Sequence, residues 1–166
     1  MGVSCCGKTT IGKELARRLA KLDYRFFDGD DFHSSENIAK MSNGLPLNDE
    51  DRKPWLECLS NLIEENVLQS RNVILACSSL KRSYRSILNR HCSCCFVHLK
   101  IDVEEAKRRI LARKSHFFVV KLIEDQFQNF EDIDQSEKIN FLVIDGSQSA
   151  DLICSEILNE LKLSDK

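Results

Sequence analysis

A glycine-rich loop at the start of the chain constrains most of what can follow it. Residues 2–9 read Gly-Val-Ser-Cys-Cys-Gly-Lys-Thr and match the pattern G-x-x-x-x-G-K-[ST] at every fixed position. In such a loop, successive backbone N–H groups surround phosphate oxygens, and the helix that follows adds the positive end of its dipole. Because this loop joins a buried strand to a helix, it predicts an α/β fold that binds a phosphorylated nucleotide.

The positions of the loop have different predicted tasks. Lys8 is placed to reach the β and γ phosphates, and the Thr9 hydroxyl is placed to ligate Mg²⁺. Cys5 and Cys6 are compatible with the loop because backbone groups do the binding, although a positive φ at Cys5 would cost about 1 kcal/mol. The residues predicted to contact the ATP phosphates are Gly2, Val3, Ser4, Cys5, Cys6, Gly7, Lys8, Thr9 and Thr10.

Strand and helix patterns alternate along the rest of the chain. Apolar runs of strand length occur at 24–27, 72–77, 95–101 and 141–144, and amphipathic spacing predicts helices between them. Continuous apolar strands between such helices predict a parallel sheet that is covered on both faces. With 166 residues and no linker, the chain is expected to form a single domain over 1–166.

Composition limits the partners of the chain. The 24 basic and 26 acidic residues leave a net charge of −2, so we expect no nucleic-acid partner. The apolar runs are far shorter than a membrane span and no basic-then-apolar leader is present, so we expect no membrane association. Eight cysteines without the spacing of a disulfide framework predict a reduced, cytoplasmic chain.

The segment His91-Cys92-Ser93-Cys94-Cys95 has the composition of a metal-binding cluster. Zinc sites usually combine two separated pairs of ligands, however, and the sequence contains no second pair. Cys94 and Cys95 also begin an apolar run, in which free cysteine behaves as a small hydrophobic residue. We therefore expect these thiols to fill the core.

The other motifs of the chain indicate which class of reaction the phosphate loop serves. The guanine-reading sequence N-K-x-D of GTPases is absent from the chain. A small-molecule kinase needs a base for the attacking hydroxyl, cations for the substrate and an arginine over the phosphates. Asp28-Gly29-Asp30 ends the first predicted apolar run, at the edge of the sheet where ligands of open α/β folds bind. A solvated acidic turn is the alternative interpretation.

Taken together, these stretches resemble gluconokinase, a small kinase of carbohydrate acids related in fold to shikimate kinase and the nucleoside monophosphate kinases. The resemblance covers most of the chain, from Gly2 to about Glu131, and rests on GVSCCGKTT, FFDGDDFHSSENIAKMSNGLPLNDEDRKPWL, VILACSSLKRSYR, ARKSHF and DQF. It implies a three-layer α-β-α P-loop NTPase fold whose parallel sheet has the order 2-3-1-4-5. It also implies phosphoryl transfer from ATP to the 6-hydroxyl of D-gluconate, which feeds the pentose phosphate pathway.

The resemblance implies roles for residues of a substrate-binding region at about 30–55. Asp30 would orient or deprotonate the hydroxyl, and Asp28 would belong to the Mg²⁺ shell, directly or through water. His33 would contact the substrate, with a surface histidine as the alternative. Arg52 would bind the gluconate carboxylate, because its planar guanidinium suits bidentate recognition. Trp55 is expected to be a packing residue.

Further roles are implied for the second half of the chain. Ser79, Lys81 and Arg85 would complete the substrate site, although the two basic residues could instead solvate a helix face. Arg113 would close over the phosphates as part of a lid at about 113–120, which excludes water. The implied catalytic set is Lys8, Asp30 and Arg113, with ATP and Mg²⁺ as cofactors, D-gluconate as substrate and, by analogy, a homodimer as the assembly.

The chain departs from the resembled family in its lid. The family usually has G-H-F-M-P there, whereas this chain has Ser115-His116-Phe117-Phe118-Val119. A flexible joint and a helix-start signal are thereby lost, so we expect closure to be slower or differently placed.

A second departure concerns the sheet. Only Met1 precedes the loop, so we expect the first, central strand to be missing. Each buried backbone group that this leaves unpaired would cost about 1–3 kcal/mol, against a total stability of about 5–15 kcal/mol. Two explanations therefore stay open: residues upstream of Met1 are absent from this version, or the chain is a truncated isoform that folds poorly. The first alternative to an active gluconokinase is accordingly a truncated, catalytically impaired kinase-like isoform. A second alternative is a kinase of shikimate or a nucleoside monophosphate, against which the N-D-x-D-R-x-P-W-L stretch argues.

Overall fold

A parallel β-sheet forms the middle layer of the computed structural model, which describes residues 1–112 and 118–163. Its strands are β1 (Tyr24–Asp28), β2 (Asn72–Ala76), β3 (Cys95–Lys100) and β4 (Asn140–Asp145). β1 pairs in parallel with β2, and β3 pairs in parallel with β4. These two strand pairs correspond to the pairs 2-3 and 4-5 of the predicted order 2-3-1-4-5.

Helices connect the strands and cover both faces of the sheet. They are α1 (Lys8–Arg18), α2 (Ser35–Ser42), α3 (Asp49–Leu68), α4 (Arg82–Leu88), α5 (Val103–Ala112), α6 (Phe118–Gln128) and α7 (Ala150–Glu160). α1 contacts β1, β2 and α7, whereas α3 contacts β2 and α4. Among the described residues, no helix is both long enough and apolar enough to cross a membrane.

Two hydrophobic cores fill the space between the sheet and its helices. One core includes Ile11 of α1 and Ile153 of α7, and the other includes Leu59 of α3. Successive side chains of β2 point to different cores, Ile74 to the first and Leu75 to the second. The predicted burial of the apolar strands on both faces, and with it the three-layer architecture, is confirmed.

The sheet is interrupted between β2 and β3. Within the described residues, Met1 and Gly2 bridge the interruption: the Met1 nitrogen donates to the Val97 carbonyl, the Leu99 N–H donates to Met1 at 3.0 Å, and the Gly2 N–H donates to Ser78 at 3.1 Å. A cavity of about 370 Å³, here called the central gap, separates β2 from β3 beyond this bridge. The central strand is thus represented, in the part of the chain described, by Met1 and Gly2 alone.

The cysteines next to the central gap differ from expectation. Cys95 was expected in the core, but it is exposed, and Cys94 is only partly buried. Both residues line the central gap, at and just before the start of β3. The prediction that these two thiols fill the core is therefore wrong for Cys95.

Gly12 allows α1 to approach β1. A Cβ atom at this position would lie 2.4 Å from a ring carbon of Phe26. We predict that Gly12→Ala lowers the free energy of unfolding by about 1–3 kcal/mol, because the helix or the ring must move. Chemical denaturation measures the loss, and the exposed Thr10→Ala variant of the same helix should stay within about 0.5 kcal/mol of the unchanged chain. Equal stability of the two variants would contradict this account of the α1–β1 contact.

Candidate active site

The glycine loop has a positive φ angle at three positions. Gly2 and Gly7 have φ angles of +133° and +106°, which only glycine adopts readily. Cys5 lies in the left-handed region with a φ of +66°, so the cost of about 1 kcal/mol considered for this residue applies. Cys6 is fully buried and belongs to the core on the α1 side. One cysteine of the loop is therefore strained, and the other is packed.

α1 begins at Lys8 without a side-chain cap, and its first turn contains no acidic residue. Its first N–H groups have no helical carbonyl to bind, and the positive end of its dipole points to the same side. The Lys8 ammonium crosses the loop and donates to the carbonyls of Gly2 at 3.0 Å and Val3 at 2.8 Å. The loop therefore gathers a cation and backbone donors around one point, as phosphate binding requires.

A hydrogen bond joins the loop to the acidic turn that follows β1. Thr9 Oγ1 donates to Asp28 Oδ2 at 2.7 Å, and the Asp30 N–H donates to Asp28 Oδ1 at 3.2 Å. The two predicted Mg²⁺ ligands, Thr9 and Asp28, are thus in contact. Among the described residues, no cluster of three or more His, Cys, Asp or Glu side chains could hold a metal ion alone. A hydroxyl and one carboxylate fit Mg²⁺, which takes its other ligands from phosphates and water.

Asp30 has the electrostatic environment of a base. The protein around it removes part of its hydration, and the Asp28 carboxylate lies close by, so the pKa of Asp30 is raised. The positive charge of Lys8 and the proximity of His33 oppose this shift only in part. A carboxylate with a raised pKa accepts a proton from a hydroxyl more readily than an ordinary aspartate does.

Trp55 and His33 pack against the acidic turn. Trp55 Nε1 donates to the Gly29 carbonyl at 2.7 Å, and the two aromatic rings stack with their centroids 4.2 Å apart. Burial lowers the pKa of His33, so its imidazole is held in the neutral form. Within the described residues, His33 Nδ1 is buried without a hydrogen-bond partner. Trp55 is a packing residue, as expected, and it also fixes the position of the turn and of His33.

Arg52 and Lys81 meet at the ring of Tyr84. The Arg52 guanidinium lies 5.8 Å from the centroid of this ring, and Lys81 Nζ lies 5.6 Å from it. Lys81 pairs with Asp49 at 2.7 Å, and the Tyr84 hydroxyl donates to the same carboxylate. Arg52 also helps to lower the pKa of His33, so it lies on the side of the acidic turn. The fold therefore brings two predicted substrate cations together at Tyr84, with Arg52 on the side of His33.

The start of α3 explains why these side chains converge. Asn48 and Asp51 form a capping box, in which each side chain binds the backbone N–H of the other residue. Asp51 also pairs with Lys40 of α2 at 2.6 Å. With its first turn fixed in this way, α3 presents Arg52 and Trp55, three residues apart, on one face. The stretch N-D-x-D-R-x-P-W thus encodes both a helix start and the side chains that this start positions.

Arg85 is a structural residue. Its side chain has no exposed surface, and its Nε and Nη2 bind the two carboxylate oxygens of Glu137 at 2.8 Å and 2.5 Å. Its Nη1 donates to the carbonyls of Ser79 and Leu80, both at 3.1 Å. The substrate contact predicted for Arg85 is therefore wrong, because the guanidinium is used to hold the loop after β2. Ser79 is itself buried, with a φ of +49°, and its substrate contact stays a prediction.

Two side chains that sequence reasoning did not assign contact the phosphate loop. Arg109 Nη1 donates to the carbonyls of Cys5 and Cys6 at 3.3 Å and 3.4 Å. Gln126 Oε1 accepts the N–H of Ser4 at 2.6 Å. In the sequence, Arg109 is one of several basic residues of an amphipathic helix, and no spacing signal connects either residue with the distant loop. The predicted lid residue Arg113 lies outside the described residues.

A second cavity, of about 360 Å³, lies beside the phosphate loop. Cys5, Gly7, Thr10 and Arg109 contribute to its wall, and Arg109 Nη2 donates to the Gly146 carbonyl at 2.7 Å across it. Because this space adjoins the start of α1, it has the position and size to accept the nucleoside part of a nucleotide whose phosphates lie on the loop.

Known proteins resemble the chain over nearly its whole length. The family model described as shikimate kinase matches residues 4–162. A probable gluconokinase of Xenopus tropicalis is 39% identical over 97% of this chain and 90% of that protein. The thermoresistant gluconokinase of Escherichia coli K12 is 34% identical over 98% of this chain and 91% of its own.

Solved structures give the same result. A sugar kinase from Janibacter sp. HTCC2649 superimposes with a TM-score of 0.90 and 35% identity, over 99% of this chain and 93% of that one. A gluconokinase from Sinorhizobium meliloti 1021 superimposes with a TM-score of 0.80 and 32% identity, over 98% and 89% of the two chains.

The indole N–H of Trp55 is predicted to hold the acidic turn in place. Trp55→Phe keeps a ring beneath His33 but leaves the Gly29 carbonyl without its donor, so we expect a loss of about 1–3 kcal/mol in the free energy of unfolding. Turnover should fall as well, because Asp30 follows Gly29 directly. Chemical denaturation and steady-state kinetics measure the two effects. Trp55→Leu, which also removes the ring, should lose more; a Trp55→Phe variant with unchanged kcat would contradict this role.

Proposed function

Because the chain belongs to the gluconokinase group of the shikimate kinase family, we propose that it transfers the γ-phosphoryl group of ATP to the 6-hydroxyl of D-gluconate. The hydrogen bond between Thr9 and Asp28 is the observation that carries this proposal. It joins the phosphate loop to the acidic turn, and so it supports the proposal that Asp30 lies next to the γ phosphate. The products are 6-phospho-D-gluconate and ADP.

As a kinase of this family, the chain uses ATP as its phosphate donor. We propose that the β and γ phosphates lie on the loop residues Gly2 to Thr10, with Lys8 turning from the Gly2 and Val3 carbonyls to the phosphate oxygens. Thr9 and Asp28 would hold Mg²⁺, which neutralises charge on these oxygens when it is bound. The nucleoside would occupy the cavity bordered by Arg109.

The acceptor site is proposed to lie between the acidic turn and the start of α3. Arg52 would bind the gluconate carboxylate through two parallel N–H groups, a geometry that favours a carboxylate over a neutral sugar. His33, whose Nδ1 is buried, and Lys81 would bind hydroxyl groups along the carbon chain of gluconate. Ser79, in the loop after β2, is also proposed to contact the substrate. With gluconate held by these groups, its 6-hydroxyl would point toward Asp30.

The proposed reaction is an in-line displacement at phosphorus. The 6-hydroxyl oxygen bonds to the γ phosphorus, the bond to the β–γ bridging oxygen breaks, and the hydroxyl proton passes to Asp30. Since phosphoryl transfer has a loose transition state, positioning of the two oxygens and charge stabilisation by Lys8 contribute most. Arg113, within the proposed lid at 113–120, would close over the phosphates and exclude water.

Other aspects of the proposal rest on composition and on the relatives. We propose that residues 1–166 act as one kinase domain, located in the cytoplasm and assembled as a homodimer. Nothing in its charge suggests a nucleic-acid partner.

An acceptor comparison tests the proposed function. In a coupled assay of ADP formation, we expect D-gluconate to support turnover at least about 100-fold faster than shikimate or AMP, because buried polar groups left unpaired by a wrong acceptor oppose its binding. Mass spectrometry should identify 6-phosphogluconate as the product. Faster turnover with shikimate or AMP would refute the acceptor, and ADP formation that does not depend on any acceptor would refute the kinase reaction.

The role of Asp30 predicts a specific pH dependence. Because the base must be deprotonated and the pKa of Asp30 is raised, kcat should fall on the acid side at a pH above the ordinary aspartate pKa. Asp30→Asn should lower kcat by about 10²- to 10⁴-fold, abolish this acid limb and leave ATP affinity nearly unchanged. The exposed neighbour Asp31 provides the control: its charge only adds to the rise in the pKa of Asp30, so Asp31→Asn should keep kcat and retain the acid limb at a slightly lower pH. Normal turnover by Asp30→Asn would exclude the assigned role.

A further inference from the structure

Gln126 is a polar residue on the packed face of α6. Ile123, three positions before it and on the same face of the helix, is fully buried. Phe127, the next residue, packs against the core that contains Ile11 and Ile153. Gln126 itself is partly buried. Amphipathic spacing favours an apolar residue at such a position, so an amide there indicates a polar partner.

One end of the Gln126 amide is anchored to the phosphate loop. Its Oε1 accepts the N–H of Ser4 at 2.6 Å. Its Nε2 has no hydrogen-bond partner within the described part of the chain, and it is not one of the buried unpaired atoms there. Because the amide group is planar, fixing the oxygen keeps Nε2 beside the loop, with two N–H donors that a ligand can use.

The segment that follows α6 contacts the loop after β2. The Glu131 N–H donates to the Leu80 carbonyl at 2.9 Å, and Glu131 Oε2 accepts the N–H of Arg82 at 2.6 Å. Leu80 and Arg82 lie on either side of Lys81, a proposed acceptor-binding residue. The end of α6 that presents Gln126 is therefore tied both to the phosphate loop and to the loop that carries part of the acceptor site.

Gln126 contacts the phosphate loop away from the proposed nucleoside position. Among the described residues, the wall of the cavity beside α1 includes Cys5 and Arg109, but neither Ser4 nor Gln126. The phosphates of a nucleotide extend along the loop from the nucleoside, and the γ phosphate is the farthest from it. The side of the loop that Gln126 contacts is therefore the side where the γ phosphate meets the acceptor.

We propose that Gln126 is a further catalytic residue, whose Nε2 donates a hydrogen bond to an oxygen of the γ-phosphoryl group during its transfer; this inference rests on the proposed kinase reaction. Charge on the phosphoryl oxygens is stabilised by donors that are already in place, and an amide side chain is suited to this task. The bond from Ser4 to Oε1 fixes the amide before ATP binds, so the donor needs little reorganisation.

Gln126→Glu separates the two ends of the amide. The carboxylate still accepts the Ser4 N–H, but it replaces the N–H donors with a negatively charged oxygen that repels the phosphate. At a pH well above the ordinary glutamate pKa, we expect kcat to fall by about 10²- to 10³-fold, as when one donor to a developing charge is removed. Tm should stay close to that of the unchanged chain, because the contact that holds the loop is retained.

Binding of ATP and ADP without an acceptor gives a second measurement. Only ATP has the γ phosphate, so Gln126→Glu should weaken ATP binding at least about 10-fold more than ADP binding in isothermal titration calorimetry. Gln126→Met removes both ends of the amide without adding charge. Its ATP affinity should also fall relative to its ADP affinity, by a smaller factor, and this ratio is informative even if its Tm decreases. Gln128→Glu, an exposed change on the same helix, should leave kcat and both affinities unchanged.

Three results would overturn the inference. Normal kcat in Gln126→Glu would exclude a role for Nε2, and equal losses of ATP and ADP affinity would show that Gln126 only supports the loop. Tighter ATP binding by Gln126→Met would show that Oε1 competes with phosphate for the Ser4 N–H. If the unchanged chain does not phosphorylate D-gluconate but Gln126→Glu loses ATP affinity selectively, the proposed acceptor is refuted and the contact of Gln126 with the γ phosphate is supported.

Discussion

Three backbone hydrogen bonds made by Met1 and Gly2 hold the two halves of the sheet at either side of the phosphate loop. Contacts from both halves then converge on this loop, Asp28 at the end of β1 from one side and Arg109 of α5 from the other. A shift of one half against the other would separate the loop from the acidic turn. The geometry of the site therefore depends on the hydrogen bonds that Met1 and Gly2 make to both halves.

The electrostatics of the site follow first from burial and then from neighbouring charges. Loss of hydration and the nearby Asp28 carboxylate raise the pKa of Asp30, while burial lowers the pKa of His33. One group is a carboxylate with an increased affinity for protons, and the other is an imidazole that favours its neutral form. The ion pair of Lys81 with Asp49 leaves less positive charge to bind an anionic substrate, which makes Arg52 the main candidate for the carboxylate.

The sequence alone was sufficient to predict those features that depend on residues close to one another along the chain. Apolar periodicity located the strands and helices to within a few residues, and the spacing of Gly2, Gly7, Lys8 and Thr9 located the phosphate loop. The same reasoning failed for Arg85, because an arginine that follows a strand looks identical whether it faces a ligand or a buried Glu137. It also missed Arg109, whose contact with the loop exists only after more than a hundred residues have folded back.

By itself, the sequence determined the fold class, the loop that binds phosphate and the acidic turn at the edge of the sheet. Short-range sequence patterns predict these features, because hydrophobic periodicity and glycine spacing depend on residues that are neighbours in the sequence. Only the tertiary structure decided that Arg85 is buried against Glu137, that Trp55 fixes the turn through its indole N–H, and that Arg109 reaches the phosphate loop. Those outcomes depend on which distant groups compete for the same hydrogen bonds and the same buried space, and no local pattern encodes that competition.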